Sequence, residues 1–515
     1  MSSRRSEDSR SKREARRASA SSGQQSVWRR FRNPMPPLAI LNETELSLID
    51  DTALRILEEL GLEFQSSEAL DILEDNGAMV DRETSMVRMM PRLVREMVAK
   101  APAQFELHAR NPERSVTMGG NWVNFAPVAG PPYVSDLEQG RRPGTYEDQC
   151  NLIRLHQSLN VLHLAGAAPV EAQDLPAESR HLDFYHAQIT LTDRVWNARA
   201  IGRERIEDAL EMICLARGCL RDALRSEPSL LTVINVNSPR RVDKELLAGL
   251  MAMAENGQAA IITPFTLAGA MSPVTIAGAL AQQTAEALGV IAFTQMVRPG
   301  APVIFGGFTS NVDMKSGAPA FGTPEYVRAV IIGGQISRRW KLPYRSSNVT
   351  SSNCVDVQAT AESMMSLWAT IMSHTNLVYH STGWLEGGLT ASFEKSVVDA
   401  DLIGAMRAWL EPLEISEGSL AYDAIAATPP GGHFFGAAHT LERFETAFHM
   451  PMLADLRPYQ TWAEDGAKTA TERANRVWKH LLENYQAPPL DPGRREALDA
   501  YVARRKQEIA RTGLA

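Results

Sequence analysis

An α/β chain folded as a (β/α)8 TIM barrel, with an N-terminal helical and β extension and C-terminal helices, is the architecture this sequence predicts. Three observations carry the expectation. From about residue 145, short apolar strand signals alternate with segments of helical length, and seven such units fit within about 240 residues. Polar and aromatic residues gather just after the strand signals, the end of a barrel where ligands bind. No Gly-x-Gly-x-x-Gly turn follows a strand, which disfavours the alternative, an open doubly wound sheet.

The chain opens with a Ser/Arg-rich arm. Residues 1–33 hold ten Arg/Lys against three Asp/Glu, a balance of +7 that leaves −15 on the remainder of a chain with net charge −8. Such an arm is expected to be solvated and disordered, and it lacks the apolar core of a secretory signal. The acidic remainder offers no basic face for nucleic acid.

Residues 34–144 are expected to form a helical and β-hairpin extension. Pro34-Met35-Pro36-Pro37 makes a stiff entry, and Asn42 with Glu45 three residues on predicts a helix start. Leu46, Ile49, Ala53, Ile56, Leu57 and Leu60 recur at helical spacing, and Gly61 suits the stop. Further helices are expected near Ser67–Asp75 and after Pro91, and hairpins over 103–136.

The barrel is assigned to residues 145–455. Its strand candidates are Val161–Ala165, Val195–Ile201, Leu230–Asn235, Ala259–Thr263, Pro302–Phe305, Lys341–Arg345 and Asn376–His380, with an eighth in Leu413–Ile425. Ala259 to Ala281 carries no charge and is long enough to span a bilayer, but Pro264, Gly269, Pro273 and Gly278 break it into a buried strand, a loop and a helix start. No membrane contact is expected. Residues 456–515 read as a charged helical ending with Trp462 and Trp478 as packing anchors. Cys150, Cys214, Cys219 and Cys354 show no framework spacing, which favours a reducing cytoplasm.

Residues just past the strand signals define a candidate pocket: Arg199, Asn235, Asn237, Phe265, Phe308, Arg345, His380, Trp384, Glu386, and the Gly431-Gly432-His433-Phe434-Phe435 turn. It is rich in aromatics and poor in carboxylates. No clustered Cys/His spacing announces zinc or another metal, no Gly-x-Ser-x-Gly elbow supplies a nucleophile, and no lysine ends a strand.

These residues alone leave a β/α-barrel enzyme of open chemistry. From about Pro34 to Pro492, however, the chain resembles the trimethylamine:corrinoid methyltransferase family, in its branch without pyrrolysine. The likeness rests on Ala268-Gly269-Ala270-Met271-Ser272-Pro273-Val274-Thr275, Arg298-Pro299-Gly300-Ala301-Pro302, Asp356-Val357-Gln358, Gly383-Trp384-Leu385-Glu386-Gly387-Gly388, and Gly431-Gly432-His433-Phe434-Phe435-Gly436 continuing to His439-Thr440. It implies a barrel that moves a methyl group from an amine to the Co(I) of a cobalamin carried by a partner corrinoid protein. Residues 345–356, where pyrrolysine would be sought, are all standard. A tertiary amine leaves poorly unless activated, whereas a quaternary ammonium departs as a neutral amine, so the resemblance implies glycine betaine or a related betaine.

On that reading Trp384, Phe265, Phe308 and Phe434 are expected to wall the cation, at about 0.5–2 kcal/mol per ring. Arg199, Arg345, His380 or a backbone N–H cluster would take the carboxylate, and Asn235 and His433 are further expected substrate-binding residues. His380 and Glu386 are expected to position substrate rather than exchange protons. A sulfonium or other onium donor, and a non-catalytic betaine-binding subunit, are the alternatives. A cytoplasmic homo-oligomer is expected.

Overall fold

The main sheet runs in the order Phe31–Arg32, Trp122–Phe125, Leu377–Tyr379, Tyr344–Ser347, Val303–Gly306, Ala259–Pro264, Leu230–Val236, Trp196–Asn197 in a computed structural model that describes residues 25–513. Except for the antiparallel edge at Phe31–Arg32, neighbouring strands are parallel. In chain order the parallel strands are β1 (Trp122–Phe125), β2 (Trp196–Asn197), β3 (Leu230–Val236), β4 (Ala259–Pro264), β5 (Val303–Gly306), β6 (Tyr344–Ser347) and β7 (Leu377–Tyr379). Helices α1 (Tyr146–Ser158), α2 (Arg180–Leu191), α3 (Arg203–Arg217), α4 (Lys244–Glu255), α5 (Ile276–Val297), α6 (Pro324–Arg339), α7 (Val357–Met372) and α8 (Phe393–Trp409) alternate with them. The result is an α/β fold around a curled sheet.

Strand alternation sorts the side chains into two layers. Leu231, Ala259, Ile261, Ile304, Leu377 and Tyr379 share one buried cluster inside the curl, where the hairpin residues Leu107, Val116 and Met118 join them. That hairpin lies at the N-terminal ends of the strands, since His108 N donates to Pro228 O and Asn111 N to Asp193 O. Residues of opposite parity, such as Ile262, Phe305 and Tyr344, pack outward against the helices.

Several expectations hold to the residue. Helices begin at Glu43, Ser67 and Pro91, and Asn42 and Glu45 form the expected reciprocal cap. Asn42→Ala is expected to cost about 1 kcal/mol of stability, read by urea unfolding, because two N–H groups of the first turn lose their acceptor. The uncharged stretch divides as expected into strand β4, a turn and the start of α5. That helix has 22 residues, is long and apolar enough to cross a bilayer, and is packed inside the molecule.

Other expectations need correction. Leu413–Ile425 holds no strand; it forms the short exposed helices Glu417–Leu420 and Tyr422–Ala427. The additional parallel strand is β1, drawn from the region assigned to the extension, so the boundary at residue 145 cuts through the sheet. Val161–Ala165 is not a regular strand, although His163 N and Leu164 N donate to Phe125 O, Ala165 N to Val195 O, and Asn197 N to Gly166 O. Of the basic arm, residues 1–24 lie outside the described residues. The remainder is packed: Trp28 donates to Leu162 O, Phe31 is buried, and Asn33 donates to Ile371 O.

Trp478 is the anchor expected of it, lying 4.7 Å from Phe393 and donating to Glu394. Trp462 instead closes only its own turn, donating to Lys468 O.

Candidate functional site

Past the C-terminal ends of β4 to β7 the loops bring together a cluster of rings. Phe308 is its hub, with centroids at 5.2 Å from Phe265, 5.5 Å from Phe321, 6.1 Å from His380 and 6.2 Å from Trp384. His380 and Trp384 approach to 4.3 Å, and the Trp384 Nε1 donates to Thr350 O. Buried aromatics in these offset and edge-on arrangements gain roughly 0.5–1.5 kcal/mol per pair beyond burial.

The loop carrying Trp384 has its shape imposed by close approach. Gly383 and Gly388 both have positive φ, and a Cβ on Gly388 would lie 2.5 Å from the indole. Asp399, in α8, accepts from Gly383 N and is ion-paired with Lys395 in full burial. Glu386 is forked by Arg141 at 2.8 and 3.0 Å and accepts from Thr390. Burial pushes its carboxyl up, but those hydrogen bonds outweigh burial and hold it below the usual carboxylate range. The carboxylate is therefore spent on holding the loop.

Beneath the rings sits Arg345, on β6. It is 3% exposed, and its Nε and Nη1 find no acceptor. Among the described residues no carboxylate pairs with it; its guanidinium lies 5.0 Å from the Phe308 ring and 5.2 Å from the Tyr379 ring. Burial pushes its pKa down to about 10, so it is still charged at neutral pH. Arg194, equally buried, shows the contrast: its guanidinium donates to His156 O, Gln157 O and Leu159 O at the end of α1. A buried cation costs several kcal/mol unless something pairs with it, so Arg345 marks a place for an anion.

Uncommitted polar groups recur along this end of the sheet: Asn197 on β2, Thr263 on β4, Ser347 on β6, with Asn348 Oδ1 and Thr382 Oγ1 beyond. Gly306, in register with Arg345, has no room for a side chain, because a Cβ there would collide with Thr263 Oγ1.

His380 is 8% exposed, and burial together with the Arg345 charge holds its pKa well below the usual 6.5. Its Nδ1 accepts from Ala129 N, which leaves the proton of the neutral ring on Nε2. His156 and His163 are likewise pushed down to about 3, mainly by burial. The unfolded chain takes up these protons below pH 6.5 while the native state does not. Stability is therefore expected to be full above about pH 7 and to fall as pH drops below 6.5, by up to about 1.4 kcal/mol per pH unit for each histidine. Thermal unfolding across pH 4–8 checks this; a flat profile would contradict it.

The remaining expected residues part company with this centre. Asn235 is exposed on β3, in register with Thr263. Arg199 is paired with Glu171 at 2.5 Å and so has its own counter-charge. His433 and Phe434 do not join the ring cluster; they lie in an exposed segment, with His433 lining a cleft of about 900 Å³ formed by residues 417–443. Asp356 caps α7, accepting from Ala359 N. Phe321, Tyr379 and Asn197 were not anticipated. Phe321 lies deep in the β5–α6 loop, and Asn197 was hidden by an over-long strand reading of 195–201.

The α/β sheet thus carries a ring cluster over a buried cation that has no acid beside it among the described residues. Residues 6–510 match the trimethylamine methyltransferase (MTTB) family, and the chain is a methyltransferase belonging to it. It is 35% identical over 476 residues to the glycine betaine methyltransferase of Desulfitobacterium hafniense (strain Y51), covering 92% of this chain and 98% of that one. With the trimethylamine methyltransferase of Desulfitobacterium hafniense (strain DSM 10664 / DCB-2) it shares 27% identity over 455 residues, covering 88% and 91% of the two chains. With that of Methanosarcina thermophila it shares 25% over 465 residues, covering 88% and 95%.

Proposed function

We propose that this chain transfers a methyl group from glycine betaine to the Co(I) of a corrinoid carried by a partner protein. The observation that carries the reading is Arg345, a buried guanidinium with no acid beside it among the described residues, set directly against the Phe308 ring. A betaine has the matching pair of charges: its carboxylate answers Arg345, and its quaternary nitrogen, which has no N–H to donate, answers aromatic faces. Phe308, Trp384, Phe321 and Phe265 supply those faces.

In the step itself the bond between a methyl carbon and nitrogen breaks, its electron pair stays on nitrogen, and dimethylglycine leaves as a neutral amine. The corrinoid supplies the nucleophile that accepts the methyl carbon. No proton has to be removed, in keeping with a neutral His380 and a Glu386 already occupied by Arg141. The protein's contribution is orientation, which can supply roughly 7–11 kcal/mol when reacting groups are held in line. Residues 345–356 are all standard amino acids, consistent with a donor that needs no pyrrolysine to activate its nitrogen.

The rim suits a protein-borne acceptor. Ile201, Val274, Met314, Val357 and Leu389 are exposed on the segments following β2, β4, β5, β6 and β7, an apolar border around the ring cluster. We also infer a closed (β/α)8 barrel, with residues 163–166 bridging β1 and β2 through the backbone bonds described above. A cytoplasmic homo-oligomer, free of membrane and nucleic acid, is the setting we propose.

The test is anaerobic methylation of Co(I) cobalamin by purified protein, followed at the cobalamin absorbance bands, with glycine betaine as donor. Dimethylglycine is expected in equal amount. Failure with glycine betaine, proline betaine, carnitine and choline alike removes the reading. Turnover with a sulfonium donor alone would replace it.

A further inference from the structure

The segment between α8 and the C-terminal helices carries a dense run of exposed large hydrophobic side chains among the described residues. Its helices Glu417–Leu420, Tyr422–Ala427 and Ala438–Arg443 contribute no buried residue. Tyr422, Phe435, Phe448 and Tyr459 are 76%, 83%, 83% and 72% exposed, and Leu413 is 83% exposed. At roughly 150–250 Å² per aromatic side chain, the four rings alone offer on the order of 600 Å² of surface. A standard interface takes about 800 Å² from each partner, and Leu413, Ile415, Leu420, Leu441 and Met450 carry the total past that value. The cleft of about 900 Å³ among these helices, lined by Leu420, Tyr422 and His433, is open to receive side chains from outside.

We propose that residues 413–459 form an assembly arm that packs on a second copy of this chain. Two features favour a second copy over the corrinoid protein. The first is position. Helix α8 follows β7 and runs back from the ring cluster, so the arm leaves at Leu410, at the end opposite the site. It returns midway along α8, where Met452 N, Leu453 N and Ala454 N donate to Asp401, so the outgoing root alone marks the far end. A methyl acceptor has to reach the rings instead.

The second is character. Surfaces this large belong to permanent subunit contacts, whereas an acceptor that must come and go uses a smaller face, such as the apolar border around the ring cluster. At the arm's root the apolar surface continues onto the body, where Trp409 is exposed and stacks edge-on with Trp368 of α7 at 5.0 Å. Arm on body in one direction and body on arm in the other gives the self-complementary contact of a two-fold dimer.

Sedimentation velocity of the full chain at micromolar concentration tests this without any reference to methyl transfer, so it stands or falls apart from the substrate assignment. The native protein is expected at twice the 56.7 kDa chain mass or a larger multiple. The double variant Phe435→Glu with Phe448→Glu, both exposed and so harmless to the folded chain, is expected to sediment as a monomer with an unchanged circular dichroism spectrum. Hydrogen exchange over 413–459 is expected to slow as protein concentration rises. A native monomer, or a variant that keeps its assembly, overturns the proposal. Retained assembly with a raised KM for the protein acceptor would also overturn it, and would assign the arm to that acceptor.

Discussion

Arg345→Met is expected to lower kcat/KM for glycine betaine by roughly 10²–10³-fold while leaving the folded protein at least as stable. The loss follows from two charge-assisted hydrogen bonds to a carboxylate, about 1.5–3 kcal/mol each and not fully additive. The stability result is the more diagnostic half. Removing an arginine usually breaks partners, but among the described residues this guanidinium has two unpaired nitrogens, no acid and nearly complete burial. An apolar side chain of similar volume relieves that desolvation cost. Choline, which has no carboxylate, should bind the variant and the native enzyme alike. Isothermal calorimetry with both ligands and a thermal melt decide the matter; betaine affinity unchanged in the variant would sink the assignment of Arg345.

Lys395→Met is expected to destabilise the protein by about 3–5 kcal/mol, the second large effect. Lys395 and Asp399 are ion-paired with both side chains at 0% exposure, and removing the lysine strands a carboxylate in the interior. The same carboxylate accepts from Gly383 N, so the loop that presents Trp384 should loosen with it. Activity is expected to fall with stability, and indole fluorescence to shift. The double variant Lys395→Met with Asp399→Leu should recover a large part of the stability but not the loop geometry. A single variant as stable as the native chain would show that the pair contributes little.

The ring cluster separates shape from charge recognition. Phe308→Leu keeps most of the apolar volume but removes the ring shared by Phe265, Phe321, Trp384 and His380. It is expected to weaken betaine binding by about 0.5–2 kcal/mol, roughly 2–30-fold, measurable by the same calorimetry.

Much of this was legible in the residues themselves. Alternating strands and helices, the cap at Asn42, the helix starts at Ser67 and Pro91, and five residues that meet in or under the ring cluster, Phe265, Phe308, Arg345, His380 and Trp384, follow from local pattern. These features depend on neighbours close in sequence, or on the rule that residues following a parallel strand meet at one end of the sheet.

What sequence could not decide was which distant segments share a neighbourhood. The strand beside β7 is Trp122–Phe125, some 250 residues earlier, and its short run looks no different from the hairpins around it. Gly431 to Phe435 resembles a pocket turn in composition, yet it lies in an exposed arm. Arg199 and Arg345 are equivalent as letters; only the fold gives one of them Glu171 and leaves the other without an acid among the described residues. Local propensity is set by a residue and its chain neighbours, whereas pairing, burial and the cost of an uncompensated charge are set by contacts that exist only once the chain has closed on itself.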